Sequence, residues 1–317
     1  LKIAAHARPR VLLADDHTHV RESLSRFLAD AFDIVATAAD GHQALDLARR
    51  LRPDVAVLDV AMPNCNGFQA LEQLRRDLPE TRVVFLTMYS DNESVAAAIN
   101  GGAHGYVLKS RMHLDLITAI HHALAGRLFV PTLTSLSTVA GSRHAVQFDK
   151  NDGHFLDDVS RLVDATLRSG EQVVMVTCEA TRMGVEQRLQ ARRMNLAMLA
   201  EQGQYVAQDS ALALSHAMHD GRPDKGRLAE VVDGLDRLRL AFPKGPRSRL
   251  TIFGDMAVPL CRNGDFEAAL EFERVWNELT RALPFLTVCS YPIDCFEHSA
   301  ARNHRPSVCD EHSAVTP

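Results

Sequence analysis

The sequence predicts an α/β protein of two domains, each a parallel β-sheet with helices on both faces. Three observations carry this reading. The 317 residues are about twice the usual length of one domain, at about 150 residues each. Short apolar runs alternate with amphipathic stretches along almost the whole chain, the pattern of βα units and a parallel sheet. A Ser/Thr-rich stretch at 131–143 interrupts that alternation and reads as a linker.

The elements follow in order. Residues 10–14 (Arg-Val-Leu-Leu-Ala) form a strand that runs into Asp15 and Asp16. Residues 18–31 place Val20, Leu24, Phe27 and Leu28 on one helical face. A strand at 33–37 and a helix at 41–52 come next. Residues 54–58 (Asp-Val-Ala-Val-Leu) are an apolar, β-branched run, the composition of a strand buried on both faces. Helix 67–77, strand 82–86, helix 93–100, strand 105–108 and helix 113–124 complete five βα units. Beyond the linker, strands are expected at 144–148, 172–177, 204–208, 249–253 and 286–290. Helices are expected at 155–168, 181–194, 211–219, 225–240 and 266–283. From 297 the chain turns polar with no apolar period and reads as a disordered tail. The expected division is therefore 1–130, linker 131–143, 144–296 and tail 297–317.

Composition excludes several classes. Hydrophobic residues make up 46% and charged residues 24%, ordinary for a globular protein and unlike a disordered, collagenous or disulfide-stapled chain. The net charge is −5, and neither half is basic: 14 Lys and Arg face 15 Asp and Glu up to Val130, and 21 face 25 after it. That balance argues against a nucleic-acid surface. No apolar run approaches the roughly 20 residues of a membrane span, and 1–10 lacks a signal-peptide core, so a cytoplasmic protein is expected. Cys65, Cys178, Cys261, Cys289, Cys295 and Cys309 form no CxxC pair, so a zinc or redox site of the usual spacing is not expected.

Ligands of open parallel sheets bind outside the carboxyl ends of the strands. In the first half those ends carry Asp15 and Asp16, then Asp59, Thr87, and Lys109 with Ser110. Carboxylates gathered at one edge repel one another unless a cation sits among them. An all-oxygen site of this charge suits Mg²⁺ with phosphate oxygens. Lys109 supplies a point charge to a phosphoryl oxygen, Thr87 donates a hydrogen bond to another, and Asp59 is a carboxylate able to carry a phosphoryl group. His17, His19, His121 and His122 read as exposed loop or helix-surface residues.

The stretches Val-Leu-Leu-Ala-Asp15-Asp16-His, Val-Leu-Asp59-Val-Ala-Met-Pro63-Asn-Cys-Asn-Gly67, Leu-Thr87-Met-Tyr-Ser and Gly105-Tyr106-Val-Leu-Lys109-Ser resemble the receiver domain of two-component response regulators over about 10–130. The resemblance implies a flavodoxin-like five-stranded parallel sheet. It implies that Asp59 accepts phosphate from a histidine kinase or phosphotransfer protein. It implies Mg²⁺ held by Asp15, Asp16 and Asp59 with the backbone carbonyl of Ala61. Thr87 and Lys109 would sense the phosphoryl group, and Tyr106 would be the aromatic that reorients with Thr87. Residues 115–126 resemble the subfamily that usually carries a C-terminal helix-turn-helix, yet no such pattern follows Val130.

The second half carries a different resemblance. His144-Ala-Val-Gln-Phe148, Leu167-Arg-Ser-Gly-Glu171-Gln-Val-Val-Met-Val-Thr177, Phe253-Gly254-Asp255-Met256, Gly264-Asp-Phe-Glu-Ala-Ala-Leu270, Trp276-Asn-Glu-Leu and Cys289-Ser-Tyr291-Pro292 resemble the MEDS sensory domain over about 142–296. The resemblance implies a degenerate RecA-like α/β fold and a small hydrocarbon-type ligand. Asp255 stands where the family more often has Glu, and Pro259 falls where a helix should follow. The turn after Thr177 lacks GxxxxGK[ST], so no ATP hydrolysis is expected. Candidate ligand contacts are His144, Gln147, Asp255 and Tyr291, with Phe148, Met256, Trp276 and Cys289 nearby. Trp276, Phe272 and Leu279 share a helical face and also read as core.

The expected function is a non-enzymatic response regulator of a phosphorelay. It would couple phosphorylation of Asp59 to a ligand-sensing or protein-interaction domain, with a downstream protein partner or a phosphorylation-dependent homodimer as output. The alternatives are a transcription regulator with DNA contacts in the second half, or a nucleotide-binding enzyme gated by the receiver.

Overall fold

The computed structural model describes residues 8–133, 143–149, 154–242, 248–296 and 304–316. The chain divides into two compact units, Leu1–Pro131 and Thr132–Pro317. Residues 134–142 of the expected linker lie outside the described residues, as do 297–303 and 317 of the expected tail.

The first unit runs β1 (Arg10–Ala14), α1 (Thr18–Leu28), β2 (Asp33–Ala38), α2 (Gly41–Leu51), β3 (Val55–Leu58), α3 (Gly67–Asp77), β4 (Arg82–Thr87), α4 (Asn92–Asn100), β5 (Gly105–Leu108), α5 (Met112–Leu124) and a two-residue β6 (Leu128–Phe129). The strands pair in the order β2-β1-β3-β4-β5-β6, parallel throughout. Up to β5 this is the flavodoxin-like order, whose ligand crevice lies where the order reverses, between β1 and β3. Every residue of β3 is buried, as its unbroken apolar run predicts. Val11, Leu13, Val55, Val57, Val84 and Leu86 point to one face and pack with Leu24 and Leu28 of α1 and Leu116 and Ile120 of α5. Local chemistry sets the helix starts. The Asp40 side chain accepts the Gln43 amide at 2.8 Å, Asn66 and Gln69 form a reciprocal capping box, and Asp91 accepts the Ser94 amide at 2.7 Å. Gly67 is required by close approach: a Cβ there would lie 2.3 Å from the Asp59 carbonyl oxygen.

One side chain of this unit is a pH liability. Burial pushes His104 down to about 4, helped by the charges of Arg82 and Arg75. The Val83 amide lies 3.3 Å from its Nδ1 and the Arg82 guanidinium 3.1 Å from its Nε2. The unfolded chain therefore takes up a proton near pH 6.5 that the folded one refuses until about pH 4. Stability is full above pH 6.5 and falls as pH drops through that window, by up to about 3 kcal/mol. Urea midpoints measured from pH 7 to pH 4 should fall less for His104→Gln than for the native chain; equal slopes overturn this.

The second unit runs β7 (Arg143–Asp149), α6 (His154–Arg168), β8 (Gln172–Thr177), α7 (Glu179–Ala191), α8 (Leu196–Glu201), β9 (Tyr205–Asp209), α9 (Ser210–Ala217), a two-residue hairpin pair β10 (Met218–His219) and β11 (Arg222–Pro223), α10 (Lys225–Ala241), β12 (Leu250–Gly254), α11 (Val258–Arg262), α12 (Phe266–Thr280), β13 (Phe285–Pro292), α13 (His304–Asp310) and β14 (Ala314–Thr316). Its main sheet has the order β14-β7-β13-β12-β8-β9, again parallel throughout. This unit is also α/β. Its core gathers Phe148, Phe272, Trp276, Tyr291 and Phe296 with the aliphatic residues of β8 and β12. Pro259 lies in the first turn of α11, where a missing amide costs nothing.

Three expectations are corrected. The tail is not disordered over 304–316: Val308, His312 and Val315 are buried, and β14 adds to the free edge of β7 with Val315 opposite Val146. A three-residue strand is too short to show a period, but an open sheet edge supplies its hydrogen bonds. His122 is not a surface residue. It is buried, stacks on Phe129 at 6.3 Å and accepts from Arg127 at 2.9 Å. The short α8, β6 and the β10–β11 hairpin were not anticipated, because two to six residues carry too little periodicity.

Candidate functional site

The carboxyl ends of β1, β3 and β5 bring Asp15, Asp59 and Lys109 together. Asp15 and Asp59 are buried, and the Lys109 ammonium bridges them, 2.6 Å from Asp15 Oδ2 and 2.5 Å from Asp59 Oδ2. Burial raises the Asp59 carboxyl above its usual range, and the neighbouring Asp15 charge adds to this against the pull of Lys109. Burial works against the Lys109 charge, but its contacts with Asp15 and Asp59 outweigh it and raise the ammonium. The other Asp59 oxygen, Oδ1, accepts the Ala61 amide at 3.3 Å.

Asp16 lies at the rim, half-exposed, with His17 Nδ1 2.7 Å from its Oδ1. The His17 amide donates to Asp15 Oδ1 at 2.9 Å. Asp15, Asp16 and His17 offer three ligand atoms within 4.8 Å of one another. Thr87, at the end of β4, is fully buried, and its Oγ1 accepts the Tyr89 amide at 3.3 Å. Tyr106 is buried, and its hydroxyl donates to the Tyr89 carbonyl at 2.9 Å. Thr87 and Tyr106 thus both hold the β4–α4 loop through residue 89. That loop exposes Met88 and Tyr89.

In the second unit the four candidates do not form one site. Asp255 and Tyr291 line a cavity of about 40 Å³, together with Trp276, Phe272, Glu273 and Cys289, large enough for water or a small molecule. Asp255 accepts the Cys178 amide at 3.2 Å, and burial raises its carboxyl. Gln147 alternates with Val146 and Phe148 along β7 and so faces away from them; it is buried, with its Oε1 unpartnered among the described residues. His144 enters a cluster with Glu273, Cys289 and His312 at the wall of that cavity. Burial opposes the Glu273 charge, but the facing His312 and His144 rings and the Tyr291 hydroxyl outweigh it and bring the carboxyl down to about 2. Burial holds His312 down to about 4.

Sequence reading missed Glu273 and His312 as neighbours of His144 and Cys289. Spacing rules find ligands that are close in the chain, whereas these four come from residues 144, 273, 289 and 312.

Comparison with known proteins agrees with this division. The family model described as "Response regulator receiver domain" matches residues 11–121. The model described as "MEthanogen/methylotroph, DcmR Sensory domain" (MEDS) matches residues 143–305. The chain is 36% identical over 140 residues to the uncharacterized transcriptional regulatory protein YxjL of Bacillus subtilis, covering 44% of this chain and 64% of that one. It is 32% identical over 149 residues to the oxygen regulatory protein NreC of Staphylococcus haemolyticus, covering 45% of this chain and 69% of that one. The chain thus spans less than two thirds of the Bacillus protein. Among solved structures, a LuxR-family two-component response regulator from Aurantimonas sp. SI85-9A1 aligns at 32% identity over 42% of this chain and 96% of its own, with a TM-score of 0.39. No helix among the described residues is long and apolar enough to cross a membrane. The chain belongs to the MEDS sensory-domain family, and its N-terminal unit is a response regulator receiver domain.

Proposed function

We propose that this chain is a phosphorylation-controlled signalling protein in which the receiver takes a phosphoryl group on Asp59 and passes the change to the MEDS domain. The observation that supports this best is the Lys109 bridge between the buried Asp15 and Asp59. Two carboxylates and a fixed cation at the switch point of the sheet support a nucleophilic role for Asp59. The donor is a histidine kinase or a phosphotransfer protein. An Asp59 oxygen attacks phosphorus, the phosphohistidine P–N bond breaks, and an acyl phosphate forms.

Two buried carboxylates and a rim carboxylate outnumber one ammonium, and all their donors are oxygen, a set that fits Mg²⁺. Asp15, Asp16 and Asp59, with the Ala61 carbonyl, would hold the ion, which supplies charge neutralisation for the transferring phosphoryl group. Lys109 moves its ammonium onto a phosphoryl oxygen. Thr87 turns its hydroxyl to another and gives up the Tyr89 amide. The loop that Tyr106 also holds then shifts, a two-state element biased by phosphorylation. The output is a contact with the second domain, a partner protein or a second copy. The MEDS cavity takes a small apolar ligand, and the chain is not itself an enzyme.

The test is intact mass after incubation with acetyl phosphate. One phosphoryl mass is expected with Mg²⁺, and none when EDTA is added. Equal gain with and without EDTA removes the metal from the reading. No gain under any condition, including with a phosphorylated histidine donor, removes the receiver chemistry.

A further inference from the structure

The buried cluster of the second unit is built as a metal site. His144 comes from β7, Glu273 from α12, Cys289 from β13, and His312 from the turn after α13. Hydrogen bonds fix which atom each side chain presents. The Asn277 amide donates through Nδ2 to the Glu311 carbonyl, so its Oδ1 faces His144 Nδ1 at 2.8 Å and that nitrogen carries the proton. His312 Nδ1 lies 2.6 Å from the Val308 carbonyl and donates to it. Tyr291 donates to Glu273 Oε1.

The remaining atoms converge: His144 Nε2, His312 Nε2, Glu273 Oε2 and Cys289 Sγ. All lie within 4.8 Å of one another. His144 Nε2 is 3.1 Å from Sγ and 3.3 Å from Oε2. His312 Nε2 is 3.7 Å from Oε2, and Sγ is 3.7 Å from Oε2. Bond lengths of about 2.0–2.1 Å to nitrogen and oxygen and 2.3 Å to sulfur put tetrahedral ligand pairs about 3.3–3.6 Å apart. His312 is 2% exposed, and its Nε2 has no hydrogen-bond partner among the described residues. Lone pairs of two imidazoles thus face a buried carboxylate. Each imidazole donates its other N–H to an oxygen, the arrangement that orients metal-bound histidines.

We propose that His144, Glu273, Cys289 and His312 bind a zinc-class divalent transition ion. One thiolate and one carboxylate balance the dication, so the occupied site is neutral, as burial requires. Binding releases the Cys289 thiol proton to solvent. The mixed nitrogen, sulfur and oxygen set favours zinc over Mg²⁺, which takes oxygen ligands. Glu273 and Cys289 also line the cavity, so the ion sits at its wall.

The test uses the full chain, stripped with EDTA and titrated with cobalt(II) as the probe. The expected result is a thiolate-to-cobalt charge-transfer band that saturates at one cobalt per chain in this cluster, beyond any taken by the receiver, and that zinc abolishes. The oxygen-only receiver site cannot give that band. Cys289→Ser should lose it. Tyr291→Phe, which keeps the ring, should weaken cobalt binding about 10–100-fold. A native chain that shows no thiolate band on cobalt addition overturns the proposal and leaves a hydrogen-bonded His144–Glu273 pair. A band that survives Cys289→Ser also overturns it, whether or not other variants fold.

Discussion

Asp59→Asn should take up no phosphoryl group from acetyl phosphate and Mg²⁺, while the native chain is expected to gain one. The amide is nearly isosteric with the carboxylate but has no anionic oxygen to attack phosphorus, so the loss is complete rather than partial. The variant should fold. Lys109 keeps Asp15 at 2.6 Å, and Asp59 carries a charge whose burial already works against it. Removing one of two carboxylates therefore moves the urea midpoint by no more than about 1 kcal/mol of stability. Intact mass and a denaturation curve on the same preparation separate loss of chemistry from loss of fold. A phosphoryl adduct at the native level on Asp59→Asn would move the acceptor to another residue.

Trp276→Ala is expected to lower the stability of the second unit by about 3–5 kcal/mol, the range for truncating a buried aromatic. The indole is 4% exposed and stacks on Phe272 with ring centroids 6.4 Å apart and planes 9° from parallel. Its Nε1 donates to Thr287 Oγ1 at 3.2 Å, so truncation also leaves a buried hydroxyl without that donor. Because the chain has one Trp, unfolding is followed by far-ultraviolet circular dichroism rather than indole fluorescence. The urea midpoint of the transition belonging to the second unit should drop, and phosphoryl uptake on Asp59 should persist. A cost below about 1 kcal/mol would show that the indole is loosely held at the cavity wall rather than packed as core.

The receiver site was legible because parallel strands export their last residues to a common edge. Asp15, Asp59 and Lys109 each follow an apolar run, so finding the runs finds this cluster. The second unit offered no such rule. His144 was visible at a strand, but its partners Glu273 and His312 sit on a helix face and in a polar segment, where neither residue type stands out. The segment 304–316 read as disordered because its order comes from an edge of β7, about 170 residues earlier, and not from its own sequence. Gln147 and His144 both lie on the strand 144–148, but strand alternation sends the two in opposite directions. His122 read as exposed because its burial depends on Phe129 and Arg127, which lie beyond its own helix.

The position of β7 has a consequence for biosynthesis. It is the first strand of its unit, yet its two neighbours are β13 and β14, made last. As the chain leaves the ribosome, Ala145, Val146 and Phe148 emerge with no strand to pair, and stay so while more than a hundred further residues are added. Pairings of such long sequence separation make folding slow, and an open apolar strand is prone to aggregate meanwhile. The receiver closes on local βα units and can fold while this strand still waits. Completion of the second unit is therefore gated by translation: a chain stalled before residue 285 carries a finished receiver attached to an unfinished sheet.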